Sequence, residues 1–251
     1  MKVLGIETST SVNSVAIIDE DKVLCELSIN IGVTHSSYLM SNIDSILRFV
    51  SLKISDIDGF AISCGPGSFT GLRVGFSLVK GLSFTLKKPI VGIPSLDALA
   101  YRYSLFKDKI KYQFNLRKVN TLICPMIDAK KNEVYFSLYS NYKNSFVKIS
   151  GERASSIEEA INFMKRYKYD FIVFLGDGSV KYLKSIEMNF KNFSLAPVSL
   201  RFPRADTVAE LGLMRIKDNE VDEFDKLLPF YLRKPDAYLS KESKKEKRIK
   251  K

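Results

Sequence analysis

The residue types best suited to chemistry are gathered in one loop, Ser63-Cys64-Gly65-Pro66-Gly67-Ser68-Phe69-Thr70-Gly71-Leu72-Arg73-Val74-Gly75. Its glycines and hydroxyls have the make-up of a phosphate cradle, in which backbone amides approach an anion closely. The spacing argues against a nucleotide. Gly65, Gly67 and Gly71 give GxGxxxG. A dinucleotide fingerprint reads GxGxxG after the first strand of a βαβ unit, with an acidic residue about twenty positions later. Here the loop follows the fourth predicted strand, and Lys88 and Pro89 stand where the acid would fall. The pattern GxxxxGK[ST] is absent. Metal chemistry is limited by count: His35 is the single histidine, so one chain cannot supply a two-histidine site. Cys25, Cys64 and Cys124 are widely spaced and form no CxxC pair. They read as free thiols of a reducing compartment.

The loop must be held by the elements around it. Lys2–Thr8, Val12–Ile18 and Val23–Ile29 read as strands of an antiparallel meander. A helix is predicted over about His35–Phe49, capped by Thr34 or Ser36, with Leu39, Ile43, Ile46, Leu47 and Val50 as its core stripe. Gly59–Cys64 is a buried strand that feeds the loop. A second helix follows over about Phe69–Leu86, then a strand in "KKPIVGI" and a helix capped by Ser95. The second part of the chain repeats this order weakly. Thr121–Asp128 is a strand with Lys131–Tyr139 as its hairpin partner. Ser155 or Ser156 caps a helix, and Phe171–Leu175 is a strand closed by the turn Gly176-Asp177-Gly178. A last helix covers Ala205–Ile216. Strands and helices in this order predict an α/β fold of mixed sheets with helices outside. The order resembles the actin-like, ribonuclease-H-like architecture of tandem halves. The expected division is 1–105 plus about 205–232 for the first half, 106–204 for the second, and 233–251 for a basic tail.

Between Phe69 and Leu86 only Arg73 and Lys80 are charged, and apolar residues point all round the helix. Such a helix is expected to be buried all round. Its own sheet covers one side. Gly71 and Gly75, four apart, would let a second helix approach the other. Tyr38, Met40 and Phe49 lie off the core stripe of the first helix, so the two helices together predict an apolar face for a protein partner. A membrane span is disfavoured, because Arg73 and Lys80 would each cost about 3 kcal/mol in the bilayer. "MKVLGIETST" lacks the features of a signal peptide, and a cytoplasmic location is expected. Net charge is +11. Much of it lies in Lys241–Lys251, with seven basic and two acidic residues, and in the run Tyr101–Asn120. Either could meet nucleic-acid phosphates.

"GPGSFTGLRVG" followed by "KGL", with "GIETST" before it and "HSSYL" in the first helix, resembles the TsaB (YeaZ) family. The likeness continues through "PSLDALA", "IDAKKNEVY", "GDG" and "PFYLR", from residue 2 to about 233, and leaves out the basic tail. It implies two actin-like halves and a non-catalytic subunit in making N6-threonylcarbamoyladenosine beside the tRNA anticodon. The implied partners are a TsaD-like catalytic subunit, which carries metal-binding histidines, and a TsaE-like ATPase. A homodimer through the same surface is implied for the chain alone, and tRNA is met indirectly or through the tail. Carried onto this sequence, the contact set is His35, Tyr38, Leu39 and Asn42 on the first helix, and Phe69, Leu72, Arg73, Gly75, Phe76 and Val79 on the second. Actin-like folds hold ATP between their halves. Glu7, Thr8, Ser9, Asp128, Gly176 and Gly178 stand at the matching positions. "AKKNE" puts Lys130 and Lys131 where close backbone approach is wanted, so the resemblance implies at most a weak or relic ATP or ADP site and no tightly bound cofactor. The competing expectation is an actin-like ATPase or small-molecule kinase acting alone. A metallopeptidase conflicts with the histidine count.

Overall fold

The structure is a computed structural model that describes residues 1–30, 38–113, 120–142 and 145–233. Two mixed sheets organise it. The first is built from β1 (Val3–Glu7), β2 (Asn13–Ile18), β3 (Val23–Ile29), β4 (Gly59–Gly65) and β5 (Ile90–Pro94), in the order β3-β2-β1-β4-β5. β1 pairs antiparallel with β2 and parallel with β4. The second sheet contains β6 (Thr121–Lys130), β7 (Glu133–Phe136), β8 (Tyr139–Tyr142), β9 (Ser145–Lys148), β10 (Arg153–Ser156), β11 (Phe171–Leu175) and β12 (Phe193–Leu195). Its main path is β10-β7-β6-β11-β12, with β8 and β9 attached to β6. β6 pairs antiparallel with β7 and parallel with β11. The two orders match strand for strand: β6 stands for β1, β7 for β2, β10 for β3, β11 for β4 and β12 for β5. This is the tandem actin-like arrangement.

Helices cover both sheets. α1 (Leu39–Phe49) and α2 (Phe69–Leu86) pack on one face of the first sheet, where Leu39, Ile43, Ile46, Phe76 and Val79 meet Leu4, Ile6, Phe60 and Ile62. α7 (Ala205–Lys217) covers the other face, meeting Val3, Ala61 and Val91 through Val208, Ala209 and Leu213. The approach is close. A Cβ on Gly5 would lie 2.3 Å from the Ala205 carbonyl oxygen, so only glycine fits there. On the second sheet, α4 (Ile157–Met164), α5 (Asp177–Lys181) and α6 (Leu183–Asn189) follow their strands. Ser156 and Glu159 form the reciprocal capping box that starts α4.

α3 (Ser95–Gln113) joins the halves. Its Ala98 packs in the first-half core, and Leu99, Ala100 and Tyr103 pack on Ile123, Val173 and Leu175 of the second. The expected division after residue 105 therefore falls inside a helix. Some expectations of local structure shift. α1 starts at Leu39, and Thr34 and Ser36 lie outside the described residues. Lys131–Tyr139 splits into β7 and the start of β8. Gly176-Asp177-Gly178 opens α5 instead of making a turn. Among the described residues, no helix is long and apolar enough to cross a membrane.

Candidate functional site

The glycine loop is a packed joint. β4 ends at Gly65 with φ +104°, where a Cβ would meet the Phe230 carbonyl oxygen at 2.6 Å. A Cβ on Gly67 would lie 2.1 Å from the Ser9 carbonyl oxygen. Two of the loop's amide hydrogens are already used. The Ser68 N–H donates to the Ser9 carbonyl at 2.6 Å, and Ser68 Oγ accepts the Gly71 N–H at 3.2 Å, capping α2. The glycines let the loop close down on the end of β1.

That closure seals the first-half residues of the anticipated nucleotide site. Glu7, Thr8 and Ser9 are fully buried. Glu7 Oε1 accepts the Ser9 N–H at 2.5 Å. Glu7 Oε2, Thr8 Oγ1 and Ser9 Oγ are buried without a hydrogen-bond partner. Burial pushes the Glu7 carboxyl above its usual range, against a smaller opposing pull from Ser9 and Ser63. Beyond it, Ser63 Oγ and Ser95 Oγ share a 2.7 Å hydrogen bond.

The second-half counterpart is held differently. The Asp128 side chain receives Lys130 Nζ at 3.0 Å and Lys181 Nζ at 2.8 Å. Although burial works against it, these hydrogen bonds hold the Asp128 carboxyl below the usual carboxylate value. Asp177, the first residue of α5, accepts the Asp128 N–H at 3.1 Å, and its own carboxyl is pushed up by burial. Gly176 has φ +91°, and a Cβ there would lie 2.0 Å from the Met126 carbonyl oxygen. A Cβ on Gly178 would meet Met126 at 2.9 Å. Both glycines seat α5 against β6. A magnesium–ATP group needs an accessible carboxylate and free amides. Here Glu7 is enclosed and Asp128 is neutralised by lysines, so these residues do not fit it. Among the described residues, no group of three His, Cys, Asp or Glu side chains could hold a metal ion.

The partner face divides by helical phase. On α1 the inward residues are Leu39, Asn42, Ile43, Ile46 and Leu47. Asn42 Nδ2 donates to Asn13 Oδ1 at 3.3 Å, inside the fold. Tyr38, just before α1, is 44% exposed, and Met40 and Phe49 on the helix are 42% and 77% exposed. On α2 the inward residues are Gly71, Leu72, Gly75, Phe76, Val79 and Ser83. Thr70, Arg73, Ser77, Gly81, Phe84 and Thr85 are exposed, with Phe84 at 74%.

These positions correct the anticipated contact set. Leu39, Asn42, Leu72, Gly75, Phe76 and Val79 belong to the chain's own core, so α2 is not buried all round. Gly75 admits no partner helix: a Cβ there would lie 2.5 Å from Thr8 Oγ1 and 2.9 Å from Ile62. Phe69 is partly covered by Tyr231, and Arg73 lies 3.9 Å over the Phe69 ring. His35 lies outside the described residues, as do the basic tail and residues 114–119 of the Tyr101–Asn120 run. Within that run, Arg102 serves packing, pairing with Asp206 of α7 at 2.6 Å. Sequence reasoning missed Phe84. Its signal was available in its phase, eight positions after Phe76 and thus about 80° round the helix from it.

Sheet order and helix placement define a tandem α/β protein of actin-like class. The comparisons specify the family. A family model for tRNA N6-adenosine threonylcarbamoyltransferase, TsaD, matches residues 31–241. The tRNA threonylcarbamoyladenosine biosynthesis protein TsaB of Haemophilus influenzae is 30% identical over 93% of this chain and 94% of its own length. The protein of the same name from Bacillus subtilis is 29% identical over 94% and 96%. Among solved structures, YeaZ from Pseudomonas aeruginosa superposes with a TM-score of 0.71 at 23% identity, covering 92% of this chain and 99% of that one. The chain belongs to the TsaB family, within the wider TsaD-like group.

Proposed function

We propose that this chain is a non-catalytic subunit in the formation of N6-threonylcarbamoyladenosine in tRNA, and that it acts by pairing with a TsaD-like catalytic subunit. The observation that carries the reading is the set of exposed apolar side chains on the two helices that cover one face of the first sheet: Met40 and Phe49 on α1 and Phe84 on α2. Exposed phenylalanines on neighbouring helices are usual in a surface that is covered by another protein. The family name supplies the pathway, and the TsaD-like relatives supply the kind of partner. The single histidine supports a role without metal chemistry of its own, and the enclosed Glu7 and lysine-paired Asp128 support a subunit that does not turn over ATP.

In this reading the same face makes a homodimer when the catalytic subunit is absent. A TsaE-like ATPase joins the pair, tRNA is met through the assembly and the basic tail, and the protein works in the cytoplasm. The test is reconstitution. Purified chain and the TsaD-like subunit of the same genome should co-elute as one species and form the modified adenosine only together. A chain that modifies tRNA alone, or that hydrolyses ATP at about 1 per second alone, would place it among ordinary enzymes instead. Binding of tRNA by the tail should weaken steeply between 50 and 200 mM salt, on the order of 10³-fold if several phosphates are contacted.

A further inference from the structure

Beyond α7 the chain runs as an irregular strap from Val221 to Arg233, anchored along its course. Asp222 Oδ2 accepts the Gly92 N–H of β5 at 2.7 Å. The Leu227 side chain enters the core beside α2, and its carbonyl accepts Lys80 Nζ at 2.9 Å. The Phe230 N–H donates to the Cys64 carbonyl at 2.6 Å, next to the glycine loop. The Tyr231 ring lies 4.8 Å from that of Phe69, and its hydroxyl meets Arg73 Nε at 3.4 Å. These contacts all belong to the first half.

The next two residues change sides. Leu232 packs on a cluster of Leu96 from α3 with Ile127, Ala129 and Tyr135 of the second half. Arg233 Nη1 donates to the Ala129 carbonyl at 2.6 Å and pairs with Glu133 at 3.3 Å, on the two strands of the β6–β7 hairpin. Its side chain is only 15% exposed. Two residues of extended chain span at most about 7 Å. The Tyr231 and Arg233 backbones are therefore tied within that span, while their side chains are held in different halves.

We propose that this strap is a clasp that couples the first turn of α2 to the β6–β7 hairpin, so that the halves separate only when one of its anchors lets go. Moving the α2 turn by more than the give of a side chain pulls on Arg233, and loosening the hairpin pulls on Tyr231. The inference concerns the isolated chain and needs no partner.

Hydrogen exchange on the full chain tests it. Arg233→Ala should speed exchange in residues 126–136, where its contacts are lost, and also in residues 65–73, by about tenfold in each, with global unfolding little changed. Tyr231→Ala should do the same from the other end. If each variant speeds exchange only at its own anchor, the strap is two independent contacts and the clasp is wrong. Should Arg233→Ala fail to fold, Arg233→Met keeps the packed stem, removes both the Ala129 and the Glu133 contact, and gives the same readout. Faster exchange at 65–73 in that variant upholds the clasp, and unchanged exchange there overturns it.

Discussion

The two halves share one strand order, yet they treat the same junction in opposite ways. In each, a glycine after the fourth strand presses on backbone of the first strand or just past its end. Gly67 abuts the Ser9 carbonyl, and Gly176 abuts the Met126 carbonyl, both at van der Waals limits that exclude a side chain. The first half buries its acid, Glu7, without a cation. The second exposes part of its acid, Asp128, to two lysines. The helix that follows differs more. α2 runs 18 residues without a break, whereas its counterpart is split into α5, of 5 residues, and α6, of 7. A long helix keeps one phase over several turns and can present a continuous outer side. Two short helices cannot. The repeated architecture therefore keeps the joint and diverges in the surface, and the long continuous helix lies in the first half.

The largest effects should come from filling the joint. Gly176→Ala combines a left-handed φ with a backbone clash, and Gly67→Ala meets backbone as well. Each should cost on the order of 3 kcal/mol or more in urea unfolding. Losses of similar size in both halves would sharpen the parallel, while a neutral Gly67→Ala would break it. Next comes the contrast within α2. Phe76→Ala, in the core, should cost about 3–5 kcal/mol, and Phe84→Ala should stay within about 0.5 kcal/mol.

The smallest effects are those of pH, and they should differ in sign between the halves. Burial raises the Glu7 pKa above its ordinary 4.5, so the folded chain holds that proton more tightly than the unfolded chain does. Stability from this group is fully present below pH 4.5 and is lost as pH rises through the folded value. For Asp128 burial is outweighed by the Lys181 and Lys130 hydrogen bonds, and the pKa falls below its ordinary 3.8. Its contribution is present above pH 3.8 and lost as pH falls through the folded value. Unfolding curves across pH for Glu7→Gln and Asp128→Asn should each flatten one of these opposite slopes. Slopes of the same sign would mean that the two acids are held alike.

Much of the scaffold was legible in the sequence because it rests on periodicity. The meander, the buried β4 strand, a serine cap at 155 or 156 and the element order all follow from alternation, helical spacing and capping chemistry. The facing of α2 was not legible. The outer side carries only one charge, Arg73, among Thr70, Ser77, Gly81 and Thr85, a weak contrast beside Leu72, Val74, Phe76, Leu78 and Val79, and the helix phase is set by where Gly75 must pass Thr8, a contact between residues 67 positions apart. Tyr38, Met40 and Phe49 were easier, because α1 has a true polar edge and their place off the stripe matches their exposure. The strap was hidden for another reason. Its anchors at Cys64, Phe69 and Ala129 depend on tertiary course, and an irregular segment carries no period from which to read it.

The central claim is that the outer side of the α1–α2 layer is where the catalytic subunit docks. It is tested most directly by titrating the TsaD-like subunit against the Phe84→Glu and Phe49→Glu variants and reading affinity by calorimetry alongside melting temperature. The account predicts a loss of affinity of at least about 30-fold, the size expected for a central aromatic contact, with melting unchanged. Folded variants that bind the subunit as tightly as the parent chain would contradict it.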